Sequence, residues 1–376
     1  MQVDIRQIQD THAFSCLSCG KCTGTCPVAR YANTFSPRQI LSHSIFDTHP
    51  SPELWSCLTC KQCDEICPSD IKYIDLIQLL REGIGVEDRQ GTCSHGGILE
   101  SISRIMTSSD MKQDRLQWVD KGLKTSTDSE YLYFVGCLPY FDVLFEDLDV
   151  HAADIARSTL KILNKLGIEP QLLANEKCCG HDFFWNGDIK NFEKLANENL
   201  KMFEESGVKT IITSCPECYR TLAEDYKAIN GKTTFHVMHI SEVIKDKIGD
   251  TGLKLKADQQ TVTFQDPCRL GRHMGVYDAP RDVIGQIEGI ELKEMAHHHK
   301  RAICCGVSGW MNCSQVSKQI QAQRLNEAIA TGADTLVTSC AKCKIHFKCA
   351  LQDQALKKRA NIKITDLTEL VAQNIC

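Results

Sequence analysis

The chain has no run of about 18 apolar residues, so no segment reads as a membrane-crossing helix. Its start, MQVDIRQIQD, holds no apolar stretch and does not read as a secretory signal. It also lacks the basic excess that phosphate backbones attract: the formal net charge is −5, and nucleic acid is not an expected partner. At 376 residues, two or three domains fit. What the chain has in excess is cysteine, with 22 residues. Without a secretory context these are not expected to pair as disulfides. Thiolate metal centres in a reducing, anaerobic cytoplasm are the expectation, with any link to a membrane made peripherally through another subunit.

The spacing of the first eight cysteines carries the most information. Cys16-x2-Cys19-x2-Cys22-x3-Cys26-Pro27 recurs as Cys57-x2-Cys60-x2-Cys63-x3-Cys67-Pro68. This is the ligand pattern of a protein with two cubane [4Fe–4S] clusters. Zinc takes four ligands and leaves no place for a third cysteine at x2 followed by Cys-Pro. The fourth cysteine of each set ordinarily serves the other cluster, which groups Cys16, Cys19 and Cys22 with Cys67, and Cys57, Cys60 and Cys63 with Cys26. Between the sets, Ser36-Pro37 reads as a helix start, and Ile71 to Leu80 is apolar at helical spacing. Residues 1–82 are therefore expected to form a mostly α-helical ferredoxin domain. Residues 83–130 read as a connector with one helix around Ile98–Met106, and Cys93 and His95 read as part of a solvated loop.

From Tyr131 the pattern becomes α/β. Tyr131–Val135, Val208–Thr213, Thr261–Gln265 and Thr335–Thr338 read as strands of parallel sheets, and Ala152 to Leu166 as a long helix closed by Gly167. An internal repeat organises this half. Gly207-Val208-Lys209-Thr210-Ile211-Ile212-Thr213-Ser214-Cys215-Pro216-Glu217-Cys218 returns as Gly332-Ala333-Asp334-Thr335-Leu336-Val337-Thr338-Ser339-Cys340-Ala341-Lys342-Cys343, 125 residues later. The expected architecture is two tandem α/β repeats, 131–257 and 258–376, related by a pseudo-twofold axis, with a shared site between them.

Each repeat supplies five cysteines: Cys137, Cys178, Cys179, Cys215 and Cys218, then Cys268, Cys304, Cys305, Cys340 and Cys343. Five is one too many for an ordinary cubane. Adjacent cysteines suit a more open cluster, and the glycines after them, Gly180 and Gly306, let backbone pass close to it. Strand ends deliver Cys137, Cys215, Cys268 and Cys340 to the sheet edge where α/β proteins keep their sites.

The doubled pattern Cys…Cys-Cys-Gly…Cys-x-x-Cys resembles the catalytic subunit of heterodisulfide reductase, and the cubane region resembles that enzyme's small iron–sulfur subunit. The whole chain is similar to a fusion of the two. The resemblance implies two noncubane [4Fe–4S] clusters beside the two cubanes, held by the ten repeat cysteines, which would then be the catalytic residues. It implies reduction of a heterodisulfide (of coenzyme M and coenzyme B) or a related thiol–disulfide substrate, one electron at a time. It also implies a hetero-oligomeric complex fed by an electron-bifurcating flavoprotein or a membrane cytochrome. The same double motif occurs in relay subunits of flavin-containing complexes acting on organic acids, acyl-CoA or quinone, and that alternative stays open. One departure stands out: Val307-Ser308-Gly309-Trp310-Met311-Asn312-Cys313 replaces the glycine-rich run expected after the second Cys-Cys-Gly.

Other residues are candidates for substrate or cluster contact. Arg269, Arg272 and His273 could hold an anionic coenzyme thiol or brace the cluster loop. His181 could tune a cluster by hydrogen bonding. Trp185 and Trp310 read as packing residues, and His297-His298-His299-Lys300-Arg301 as a solvated loop, with a docking face for an acidic partner as the alternative. Cys349 and Cys376 read as free thiols.

Overall fold

The computed structural model describes residues 4–46, 52–86, 89, 91–231, 234–354, 356 and 361–376, so residues 87, 88 and 90 of the connector lie outside the described residues. The chain forms two compact units, each assembled from three segments. The first comprises 1–107, 180–194 and 303–324; the second comprises 108–179, 195–302 and 325–376.

The N-terminal part of the first unit is helical, with no strand among the described residues of 4–86. The helix expected after Ser36 runs Pro37–Phe46, and the Gln39 N–H donates to the Ser36 hydroxyl over 3.3 Å, as an N-cap should. The next expected helix runs Tyr73–Ile84 and buries Ile74, Leu76, Ile77 and Leu80 on one face. Two one-turn helices, Lys21–Thr25 and Gln62–Ile66, follow the first cysteines of each set and pack on each other. Ser18 and Thr59, and then Gly20 and Lys61, all have positive φ, so both ligand loops take the same left-handed path.

Cys93 is not in a solvated loop, contrary to expectation. It forms an isolated β-bridge with Met311, its sulfur accepts a hydrogen bond from Arg89 at 3.1 Å, and its thiol donates to Glu100. Left-handed Gly96 and Gly97 turn the chain directly into helix Ile98–Ile105, which supplies Glu100.

The second unit contains two parallel sheets. The first has the order β1 (Tyr131–Tyr133), β2 (Thr210–Thr213), β3 (His236–His239). The second contains β4 (Leu255–Gln265), β5 (Ile287–Leu292), β6 (Thr335–Thr338) and β7 (Lys363–Asp366) in the order β5-β4-β6-β7. All pairs are parallel, and the central strands have matching register: Thr210 opposes Tyr131 and His236, while Thr335 opposes Val262 and Lys363. Helix Ala152–Lys165 buries Ile155, Leu160, Ile162 and Leu163 and packs on helix Leu367–Gln373.

The repeat extends to helix capping. His239 caps Ile240–Thr251 in a capping box with Glu242, and Asp366 caps Leu367–Gln373 in one with Glu369. Burial pulls the His239 imidazole down to about 4, from an ordinary 6.5. Its folded pKa lies below its unfolded one, so its contribution is complete above pH 6.5 and is lost as pH falls towards 4. The expected loss is about 3 kcal/mol across that window. Thermal melts of the parent and of His239→Asn, which can still cap, check it: the pH dependence over this window should flatten in the variant.

Candidate metal centres

The N-terminal cysteines lie in two neighbourhoods. Cys16, Cys19, Cys22 and Cys67 line one cleft, together with Cys63 and Tyr73. Cys26 is pushed well up by burial, with Cys60 and Cys57 adding to the shift. Cys57 rises to about 11, again through burial, opposed by the charge of Arg81. That arginine is 2% exposed and donates to the carbonyls of Cys57 and Leu54 at 2.8 Å and of Trp185 at 2.7 Å. Backbone N–H groups of Ser18 and Thr59 reach the sulfurs of Cys16 and Cys57, each at 3.4 Å. Replacing Arg81 with methionine leaves three buried carbonyls without their donor. The expected cost is about 3 kcal/mol, measurable as a lowered melting temperature.

The first set of five repeat cysteines lies within the second unit. Cys137 follows β1, and Cys215 and Cys218 follow β2 at the start of helix Pro216–Arg220. Cys137 and Cys178 sulfurs are 3.7 Å apart, and Cys179 and Cys218 sulfurs 3.5 Å. None of the 22 cysteines is in a disulfide. These separations are far beyond a disulfide bond but match two thiolates at about 2.3 Å from one tetrahedral metal, which sit roughly 3.8 Å apart. Cys137 is pushed well up, first by contact with Cys178 and then by burial. Cys179 and Cys218 shift the same way through their sulfur contacts and burial. Packed this way, the thiols of Cys137, Cys179 and Cys218 hold their protons more tightly than usual, and a positively charged core would let these three ionise together. The donor set therefore fits an iron–sulfur core.

The backbone around this set is firmly held. Asn199 accepts from the Lys177 N–H at 3.1 Å and donates to the Cys178 carbonyl at 3.0 Å. The Tyr226 hydroxyl donates to the Cys179 carbonyl at 3.1 Å. The connector supplies a residue that the sequence did not single out, Arg115. It donates to the Glu176 carbonyl at 2.7 Å and to the Gly136 carbonyl, and its charge opposes the rise of Cys137. Glu176 accepts from Val135 and Gly136 at 3.1 and 2.8 Å, and burial lifts it to about 7. A buried arginine 22 residues before Cys137 in the sequence leaves no motif to read.

The second set divides between units. Cys268, Cys340 and Cys343 belong to the second unit, at the ends of β4 and β6; Cys304 and Cys305 belong to the first. Within the second unit, the two Cys-x2-Cys turns are joined by a buried ion pair: Lys342 Nζ is 2.6 Å from Glu217 Oε2. These residues occupy equivalent places, one inside Cys215–Cys218 and the other inside Cys340–Cys343. Helix Pro216–Arg220 also packs on the π-helical turn Arg269–His273 that follows Cys268. A second π-turn, Thr221–Asp225, follows the first Cys-x2-Cys. Such turns commonly mark functional sites.

The remaining candidates are engaged locally. Arg272 donates to the carbonyl of Ala302 at 2.6 Å and of Lys300 at 3.3 Å, so it braces the loop before Cys304. Arg269 donates to His273 Nε2 at 2.6 Å. His181, in the first unit, is 2% exposed, with Nδ1 3.0 Å from Asp182 Oδ1. Trp185 and Trp310 are 1% and 5% exposed, and the Trp310 carbonyl accepts from the Ser94 N–H at 2.7 Å, which fits packing roles. Cys349 is half-buried on helix Ala341–Ala350, and Cys313 and Cys376 are exposed. The run His297–Arg301 divides: Lys300 and Arg301 are exposed, as a solvated loop would have them, whereas His297 meets Glu327 at 2.7 Å and His298 and His299 are half-buried.

Residues 12–71 match a 4Fe-4S dicluster domain, and residues 131–223 and 262–348 each match the cysteine-rich CCG domain. The chain is 30% identical to a subunit of the dihydromethanophenazine:CoB–CoM heterodisulfide reductase of Methanosarcina mazei, over 82% of this chain and 74% of that protein. It is 29% identical to a subunit of the fumarate reductase (CoM/CoB) of Methanothermobacter marburgensis, over 96% and 73%. It is 26% identical to the EtfAB:quinone oxidoreductase of Syntrophomonas wolfei, over 87% of this chain but 47% of that longer protein. No described helix is long and apolar enough to cross a membrane. A dicluster domain fused to paired cysteine-rich domains, with that level of identity, makes this chain a member of the heterodisulfide reductase-like family of iron–sulfur oxidoreductase subunits.

Proposed function

We propose that the chain takes electrons from a flavoprotein or membrane cytochrome at its N-terminal cysteines and reduces a heterodisulfide, of the coenzyme M–coenzyme B type, between its two cysteine-rich halves. In this reading residues 1–82 hold two cubanes, 83–130 connect, and 131–257 and 258–376 each hold a noncubane cluster related by a pseudo-twofold axis. The observation that carries it is the Glu217–Lys342 ion pair, which ties the two Cys-x2-Cys turns to each other inside one unit. Sulfur separations of 3.5–3.7 Å in the first set support the ligand assignment there.

When bound, iron–sulfur clusters supply single electrons, whereas cleaving a disulfide takes two electrons and two protons to give two thiols. The protein's part is to hold and shield. Asn199 and Tyr226 fix the Cys178–Cys179 backbone, Arg115 places a positive charge beside Cys137, and Arg272 holds the loop leading to Cys304. Glu217 and Lys342 neutralise each other between the two turns. Arg269 donates to His273 Nε2 and so orients that ring.

Similarity over 96% of this chain to a fumarate reductase subunit, and to an EtfAB:quinone oxidoreductase, favours a second reading: relay to a catalytic partner subunit. Reduced viologen and coenzyme M–coenzyme B disulfide, added to the isolated chain without oxygen, separate the two. The first reading expects steady viologen oxidation, two per disulfide cleaved. Rapid oxidation that stops once the protein's own centres are reduced, with the disulfide intact, selects the relay.

A further inference from the structure

The cysteine chemistry leaves one cluster of metal-binding side chains unused. Glu294, two residues past β5, and His298 and His299, at the turn His299–Arg301, bring one ligand atom each within 4.8 Å of the others. The rings of His298 and His299 meet edge to face with centroids 4.9 Å apart, and their Nδ1 atoms are 2.6 Å from each other. At that separation the two nitrogens share one proton; parted to about 3.3 Å, by a small turn of either ring, they would suit one tetrahedral ion with bonds of about 2.0 Å. His297 does not join them, because its ring turns to Glu327.

The surroundings hold this arrangement in place. His299 has a φ of +54°, a left-handed conformation that a non-glycine residue adopts only when its neighbours impose it. Its N–H donates to Asp266 Oδ2 at 2.8 Å, and its ring stacks on Tyr277 with centroids 5.7 Å apart. Arg281 reaches Glu294 with two bonds, Nε to Oε1 at 2.6 Å and Nη2 to Oε2 at 3.0 Å, while its other contacts include Asp266. A carboxylate offers about four lone-pair positions, so this fork leaves Glu294 able to bind a metal. Ligating carboxylates are commonly oriented by such a partner.

We propose that Glu294, His298 and His299 form a binding site for a divalent transition-metal ion, separate from the cysteine centres. Two imidazoles and one carboxylate suit zinc, with a water completing the tetrahedron. Magnesium and calcium, which favour all-oxygen shells, are excluded by the same donors. An ion here pins the end of β5 to the turn five residues ahead of Cys304, and so fixes the loop that Arg272 braces.

Zinc chloride titrated into the anaerobically purified, iron-loaded chain, followed by zinc K-edge absorption, tests the site. The expected result is one tightly held zinc whose shell contains only nitrogen and oxygen at about 2.0–2.1 Å. Sulfur at about 2.3 Å would assign the ion to cysteine instead and overturn the proposal, as would a chain that takes up no zinc. His298→Gln and Glu294→Gln should each weaken binding by at least about 10- to 100-fold with iron content unchanged, whereas His297→Gln should bind as the parent does. Undiminished uptake by His298→Gln also overturns it. The parent spectrum decides the question even if a variant folds poorly.

Discussion

Removing either partner of the Glu217–Lys342 pair is expected to be the most destabilising polar change in the second unit. The two side chains are 11% and 6% exposed, and their charged atoms are 2.6 Å apart. Glu217→Gln leaves a buried ammonium without its counter-charge, and Lys342→Met leaves a buried carboxylate. Breaking such a pair from one side costs about 3–5 kcal/mol, because the remaining charge stays desolvated. The reversed pair, Glu217→Lys with Lys342→Glu, should recover a large part of that loss. Calorimetric melting of the three variants checks this. The single changes should also lower iron retention at both Cys-x2-Cys turns, since each side chain lies between two proposed ligands. Single variants that melt like the parent would show that the two turns stand independently.

Gly136→Ala is expected to abolish metal binding at the first set of repeat cysteines while leaving the fold in place. A Cβ at this position would stand 2.9 Å from the Cys218 sulfur, and the glycine has a φ of +66°. A methyl group there must displace a proposed ligand. The expected outcome is loss of about four irons per chain and, under the proposed function, of disulfide reduction. Gly167→Ala is the matched control. Its φ is +77°, but nothing lies within 4 Å of the added atom, so it should cost only about 1 kcal/mol of backbone strain and keep all its iron. Iron analysis and visible absorption of the two variants side by side separate steric displacement from general instability.

Much of this organisation can be read from residues alone, for a physical reason. Strand β6 lies where Thr335–Thr338 was expected because four β-favouring, buried residues end at a Ser-Cys pair, and the repeat copies that signal at β2. Helix Pro37–Phe46 announces itself by Ser-Pro at its start. Spacing reveals cysteines because several ligands of one cluster lie near each other in sequence. It does not reveal what a fold brings from elsewhere. Arg115 and Glu176 meet across 61 residues, and no local pattern marks either one. The Glu217–Lys342 pair is similarly hidden: each residue looks like a filler between cysteines until the repeats pack. Polar composition suggests exposure at Cys93 and along His297–Arg301, and it holds for Lys300 and Arg301. Cys93 instead bridges to Met311, and the histidine run is held by Asp266, Glu327 and Tyr277.

The proposed function requires two chemically different kinds of iron centre in one polypeptide. Mössbauer spectroscopy of the chain, loaded with iron-57 and sulfide without oxygen, tests this most directly. The expected result is about sixteen irons per chain, divided about equally between cubane-type and noncubane components. A single cubane-type component accounting for about eight irons, with the repeat cysteines still reactive towards alkylating reagents, would contradict it.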